Sequence, residues 1–466
     1  MSVISVPKSK SISEALHSFM SSMDKWWIRL KETYNETPPT DVHDQLTYLT
    51  GLEPYFKLHP ETLVFLNQKR DEVEKHFTDS DQWYHGYWRM QEAHHGTEHY
   101  ELFLGMMARL EQDNEETIRQ VVDVAEHIGN WNSDIDSWYN EHTKRFYSLH
   151  FGSDGVRQEE KSWIDPNTGL KKTAMSDDAE ANQLFSALNM PDHLRFVNIA
   201  LIAYQVTHDT KYLSWADEYA LEWARPIVNQ KRVPVGLTPE GPIWELSPQA
   251  EELYRSSVVG MIGKLDNPVD LVENLLASGG INAFLELGKL TKNPIYRSAL
   301  EVLLDVLISE VEDPDAGPAI AMMMQYRKAF NSKRYDKPIL DAYQRISPFH
   351  VDELHAEIVP RLDKRPSGIG KRKDLPVWYE DEKLRIASPI LLGAAAEILN
   401  DEKLATQAID LAHAYMLYAL ANFTDGHEHG CKAQTISAIA RGHGRDNHAG
   451  MTTAVLEPLI QTFEAF

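Results

Sequence analysis

The densest group of residues able to do chemistry lies in WYHGYWRMQEAHHGTEHY, where His85 is followed by His94, His95, Glu98 and His99. On a helix His95 and His99 share one face at four-residue spacing, and His94 and Glu98 share the adjacent face. Neutral imidazoles with a carboxylate suit zinc, manganese or iron. His95, Glu98 and His99 are therefore the expected metal ligands, the alternative being histidines that hydrogen-bond within a polar helix start.

A second group, GHEHGCKAQTISAIARGHGRDNHAG, holds His427, His429, Cys431, Arg441, His443, Arg445, Asn447 and His448. Its alternating Gly and His positions suggest a close-fitting loop that leads into a final helix capped by Asp446 or Asn447. A structural loop would not need so many titratable groups, so His443, Arg445 and His448 are expected to be catalytic and Asn447 to bind substrate. Cys431 reads as a buried apolar residue rather than a nucleophile. In PDHLRFVN, His193 is a substrate-binding candidate. Arg195 either clamps a carboxylate with its two-pronged donor geometry or pairs with a neighbouring Glu. Arg385 is a similar, secondary candidate. Aromatic rings with polar edges suit sugar faces, but at helical spacing they are usually core. Of the chain's aromatics, only Trp83, Tyr84, Trp378 and Tyr379 are assigned to a cleft, Tyr379 also serving as a candidate base.

These side chains must be positioned by helices, because apolar residues recur at helical spacing while two-residue alternation is scarce. The periodicity predicts helices from Ile12 to Tyr34, Trp83 to Leu110, Glu115 to Tyr147, Asp177 to Thr207, Lys211 to Trp223, Val269 to Leu290, Leu384 to Leu399, Lys403 to Asn422 and Asn447 to Phe463. A weak internal repeat joins long helix to long helix through a short polar turn. It reads DNEETIRQVVDVAEHI from Asp113, HDTKYLSWADEYALEW from His208, KNPIYRSALEVLLDVL from Lys292 and NDEKLATQAIDLAHAY from Asn400. Each turn carries Asp or Asn where a helix N-cap is needed. Such hairpins bury one face each and must stack on one another. The other ends of the helices then meet at one rim, and four of the five segments there are rich in His, Arg or aromatic residues.

The chain of 466 residues carries a formal charge of −24, which disfavours nucleic acid as a partner because phosphate binding relies on clustered Lys and Arg. Hydrophobic residues make up 42% and charged residues 25%, the balance of an ordinary globular protein. A single cysteine excludes an intrachain disulfide. No run of about 18 apolar residues and no signal-peptide pattern is present, so a cytoplasmic, non-membrane protein is expected. No domain linker is evident. Residues 1–466 are expected to form one domain, with 1–80 either capping it or belonging to it, and Arg361 to Asp374 to be a mobile loop. Oligomeric state is not legible.

The hairpin phrasing, as in ALIAYQVTHDTKYLSWADEYALEWA, resembles that of the α/α-toroid carbohydrate enzymes. These include several polysaccharide lyase families, unsaturated-uronide hydrolases and N-acylglucosamine epimerases. The resemblance implies an all-α fold, an (α/α)6 or (α/α)7 toroid, and a carbohydrate substrate; it is nearest to the toroidal polysaccharide lyases. HGTEH also fits the H-x-x-E-H pattern of inverzincin metalloproteases, which do not share this fold. The expected function is cleavage of a uronic-acid-containing poly- or oligosaccharide by β-elimination. The alternatives are a glycoside hydrolase or sugar epimerase on the same toroid and a non-enzymatic helical-repeat binding protein. A lyase needs the substrate carboxylate neutralised, by a divalent metal (Mn, Zn or Ca) or by Arg195 and Arg445, and a base among His448, His443, Tyr379 or an arginine. No nucleotide cofactor is expected.

Overall fold

The computed structural model describes residues 2–36, 46–80, 83–85, 87–88, 97, 99–132, 139–146, 163–164, 171–172, 189, 191–238, 268–311, 317–346, 353–359, 375–378 and 389–422. These are mostly helical, as expected. In chain order, β1 (Ser2–Ser5) leads into α1 (Ile12–Glu36), and a 3-10 turn (Thr47–Leu52) into α2 (Glu53–Leu58) and α3 (Leu63–Asp79). The short strands β2 (Trp83–Tyr84) and β3 (Tyr87–Trp88) follow. A π turn (His99–Leu104) then opens α4 (Gly105–Leu110), which turns back into α5 (Glu115–Ile128). Beyond β4 (Tyr139–Asn140), β5 (Arg145–Phe146), β6 (Trp163–Ile164) and β7 (Lys171–Lys172) come α6 (Leu194–Thr207) and α7 (Thr210–Gln230). Next are α8 (Pro268–Ala277), α9 (Gly280–Thr291), α10 (Pro294–Val306), α11 (Gly317–Phe330) and α12 (Asp336–Ile346). The chain continues through β8 (Glu353–Val359), β9 (Leu375–Trp378), α13 (Pro389–Leu399) and α14 (Glu402–Asn422).

The four polar turns of the repeat are helix caps, as their sequence demands. Asn114 accepts the Thr117 N–H (3.0 Å), Asp209 that of Lys211 (3.0 Å), Asn293 that of Ile295 (3.2 Å) and Asp401 that of Leu404 (3.0 Å). In the last three, the residue just before the cap has a left-handed backbone: His208, Lys292 and Asn400. That conformation ends one helix sharply and lets the next start at once. A turn of the same kind, not visible as a repeat in the sequence, joins α11 to α12, with left-handed Asn331 followed by Ser332, whose hydroxyl accepts the Arg334 N–H.

Successive pairs stack in chain order. α4 and α5 pack on α6, α6 and α7 on α9 and α10, and α9 and α10 on α11; α11 and α12 pack on α13, and α13 lies along α14. α14 then packs along α1. There the Asp410 carboxylate accepts the backbone N–H and hydroxyl of Ser9, and His413 meets the Ser22 hydroxyl at 2.8 Å. Trp27 of α1 sits edge-on to Phe56 and Phe65, and α2 packs on α4, where Arg109 makes a two-pronged bond to buried Glu53. One continuous apolar core runs through all of these helices.

Several expectations are corrected. Trp83 and Tyr84 do not begin a helix; they form strand β2 of a hairpin, Trp83 opposite Trp88 and Tyr84 opposite Tyr87. The helix from Glu115 stops at Ile128, where Asn130 turns left-handed and the Asn132 N–H returns to the Glu126 carbonyl. Residues 139–146 then form a hairpin instead of continuing to Tyr147. The helix ending at Thr207 starts at Leu194, after a 3-10 turn, not at Asp177. The span from Val269 to Leu290 is broken at left-handed Gly279. Of the helix expected from Leu384, Pro389–Leu399 is described and 384–388 lie outside the described residues; Trp378 lies in strand β9, which pairs with β8, and β8 also pairs with β1 in a three-stranded sheet. No described helix is long and apolar enough to cross a membrane.

Candidate site at the helix starts

Short turns close each pair at one end, while the long connections 133–188, 239–267 and 347–388 all leave from the other. That second end holds the starts of the first helix of each pair, and three of these starts meet. The Glu101 carboxylate, in the π turn, pairs with Arg195 in the first turn of α6 (3.2 Å) and accepts a hydrogen bond from Asn198 one turn further on (2.5 Å). The Asn198 amide also donates to the Gly279 carbonyl at the start of α9 (2.9 Å). Glu101 and Arg195 are buried, with side-chain exposures of 5% and 2%. Charges this deep are tolerated only when paired and hydrogen-bonded. The cluster therefore acts as a polar bolt through three helix pairs. Gly279 is required there. Its backbone is left-handed (φ 72°), and a Cβ would lie 1.9 Å from a Glu101 carboxylate oxygen and 2.3 Å from the Asn198 amide.

Of the sequence candidates, Arg195 is thus the one that pairs with a glutamate, behind the surface rather than at it. His193 ends the 3-10 turn just before it, fully buried and stacked on Phe146 of β5 (5.2 Å). Phe146 is fixed in turn by the Asn189 side chain, which accepts its backbone N–H (2.8 Å) and the Tyr219 hydroxyl (3.0 Å). A π turn widens the helix at His99–Leu104, a feature common at functional sites. His99 opens it, 1% exposed and stacked on Phe103 at 5.3 Å. Burial pushes the His99 imidazole down to about 3, so it stays neutral over the ordinary pH range.

No family model, curated protein or solved structure matches this chain. The toroid resemblance consequently stands on the residues alone. His95 and Glu98, the expected companions of His99 in a metal site, lie outside the described residues, as do Tyr379, Arg385, His443, Arg445, Asn447 and His448. For Trp83, Tyr84 and Trp378 the backbone is described.

Among the described residues, the group able to hold a metal is His85, Asp123 and His127, whose donor atoms lie within 4.8 Å of one another. His85 sits in the turn between β2 and β3; Asp123 and His127 are one turn apart near the end of α5. Because α5 runs back from the 111–114 turn, its end lies level with the π turn. Tyr100 reflects that closeness, its hydroxyl raised well above the usual range by burial, with the Glu74 and Asp123 charges adding to it. Sequence reasoning included His85 in the histidine cluster but missed Asp123 and His127. Their four-residue spacing on a helix was the available signal.

The His99 environment gives a pH prediction. The folded form resists protonation until about pH 3, whereas an unfolded histidine takes its proton near 6.5. Stability is full above the unfolded value and falls by about 1.4 kcal/mol per pH unit below it. Burial lowers His413 as well, adding to the loss in the same direction. Urea unfolding should show His99 removing about 2 kcal/mol between pH 6.5 and about pH 5. His99→Gln should lessen the acid loss by that amount, and an unchanged pH slope in the variant would refute the assignment.

Proposed function

We propose that the chain is an α/α toroid whose helix-start rim is a carbohydrate site, and that it acts as a polysaccharide lyase on a uronic-acid-containing polymer. The ring reading is supported by the packing order, in which each pair stacks on the next, α14 returns to α1, and α2 abuts α4. The functional reading is carried by one observation: ionisable and polar side chains of the helix starts gather at one end, with Glu101 in contact with both Arg195 and Asn198. Long connections leave from that end, where loops carry function on a rigid scaffold.

In β-elimination, a base takes the proton on C5 of the uronate, the C4–O bond breaks, and the electron pair forms the C4=C5 double bond. The departing oxygen then takes a proton. A cation or divalent metal beside the substrate carboxylate makes the C5 proton acidic. In this reading Glu101 holds Arg195 as a positioning residue beneath the rim, and His443, Arg445, His448 and Tyr379 supply base and acid. Trp83, Tyr84, Trp378, Arg385 and Asn447 serve substrate binding, while the expected binding role of His193 gives way to support from behind, since it is fully buried and stacked on Phe146. The cofactor, where one is used, is a divalent metal.

The test is to incubate the full chain with pectate, alginate and glucuronan and follow the ultraviolet absorbance of the conjugated unsaturated product. A rise that is lost in a His448→Ala variant of unchanged circular dichroism supports the proposal. New reducing ends without that absorbance would replace it with hydrolysis, and inversion of a sugar centre without cleavage would replace it with epimerisation. Binding without any turnover would leave a helical-repeat binding protein.

A further inference from the structure

We propose that His85, Asp123 and His127 bind one divalent transition-metal ion of the zinc class, tying the β2–β3 hairpin to the end of α5. The inference concerns metal binding itself and does not rest on the lyase reading.

The donor set comes from two elements 38 residues apart in sequence. His85 Nδ1 lies 3.0 Å from an Asp123 carboxylate oxygen, and the His85 and His127 rings are 3.9 Å apart. His127 is the decisive member. Its side chain is fully buried, and its Nδ1 lies 2.6 Å from the Asp123 backbone carbonyl. That bond puts the proton on Nδ1 and leaves a lone pair on Nε2, which is buried and has no hydrogen-bond partner among the described residues. A buried polar atom without a partner is costly to the fold, and a bound ion would remove that cost. A histidine whose Nδ1–H is held by a backbone carbonyl, with Nε2 directed elsewhere, is the usual arrangement of a metal ligand.

The rest of the group fits the same chemistry. Side-chain exposures of 26% for His85 and 37% for Asp123 leave a path for an ion and room for a further ligand. His85 adopts φ 54°, a left-handed conformation that Gly, Asn or Asp take more readily in a tight hairpin turn. Two neutral imidazoles and one carboxylate match zinc, cobalt or manganese, whereas calcium prefers an all-oxygen shell. Ligands on a tetrahedral ion stand roughly 3.4 Å apart at ordinary zinc bond lengths. An ion must also lie near the plane of each imidazole, so coordination turns His85 out of its stack on His127. The hairpin turn is the accessible part and makes that movement.

The experiment is calorimetric titration of the chelator-treated full chain with Zn2+, with Co2+ absorbance reporting the ligand field. The expected result is one ion per chain, a tetrahedral cobalt spectrum and a zinc-dependent rise in Tm. His85→Ala and Asp123→Asn alter accessible side chains and should retain the circular dichroism of the parent. Each should weaken zinc binding by at least about a hundredfold, since even an outer partner of a metal ligand is worth about 10–100-fold. His127→Gln should do the same. No binding by the parent overturns the proposal, as does binding that these variants leave unchanged, which would move the ion to other histidines. Neither result depends on polymer turnover, so failure of the lyase assay and failure of this site are read separately.

Discussion

Replacing Glu101 with alanine is expected to destabilise the chain by roughly 3–5 kcal/mol, because it removes one member of a buried ion pair, the carboxylate beside the Arg195 guanidinium. The same change removes one of the two acceptors of the Asn198 amide, leaving the Gly279 carbonyl. Over 466 residues the entropy of unfolding is so large that 1 kcal/mol moves Tm by only about 1 °C. The shift should therefore be read from the urea midpoint. A control separates the broken ion pair from lost packing. Glu101→Leu combined with Arg195→Met removes both charges, and it should recover much of the loss, as apolar replacement of buried ion pairs often does. A Glu101→Ala variant within about 0.5 kcal/mol of the parent would show that the pair does not join the helix starts.

Gly279→Ala should produce a loss of comparable size by a different route. A left-handed backbone costs a residue with a Cβ roughly 1–2 kcal/mol. The new methyl would also stand 1.9 Å from the Glu101 carboxylate, a contact that must be relieved by moving the carboxylate away from Arg195 and Asn198. We expect a total loss above about 2 kcal/mol, and strong non-additivity with Glu101→Ala. In the alanine background the carboxylate is gone, so the added cost of Gly279→Ala should fall towards that of the backbone strain and the Asn198 contact. Simple additivity of the two losses in urea unfolding would mean that Gly279 and Glu101 do not meet.

The helix caps were legible because they are local. Asn114, Asp209, Asn293 and Asp401 lie within three residues of the amides they accept from, so a short polar turn in the sequence is already the structure. The hairpins were not legible. Trp83, Tyr84, Tyr87 and Trp88 have a spacing that a helix could also use, and the cross-strand pairing that decides against it is not written in periodicity. The same holds for Tyr139 and Phe146, which close on each other across β4 and β5 and pack against Trp215 and Tyr219.

Within the site, Arg195 and His193 stood out by residue type at a helix start. Glu101 did not, being one acid among 70 Asp and Glu. Its importance comes from Asn198 and Gly279, which lie 97 and 178 positions further along the chain. His85 was visible as a histidine, but its partners Asp123 and His127 became a group only when α5 folded back beside the hairpin.

The sequence alone determined the helical class and the positions of the capped turns. Those features depend on residues a few positions apart, whose hydrogen bonds and periodic burial are set locally. Tertiary structure alone decided which charges were paired, which histidines came together and where a Cβ could not fit. Those outcomes depend on desolvation and distance between segments far apart in the chain, and burial turns an ordinary Glu101 into an obligatory partner and an ordinary His127 into a candidate ligand.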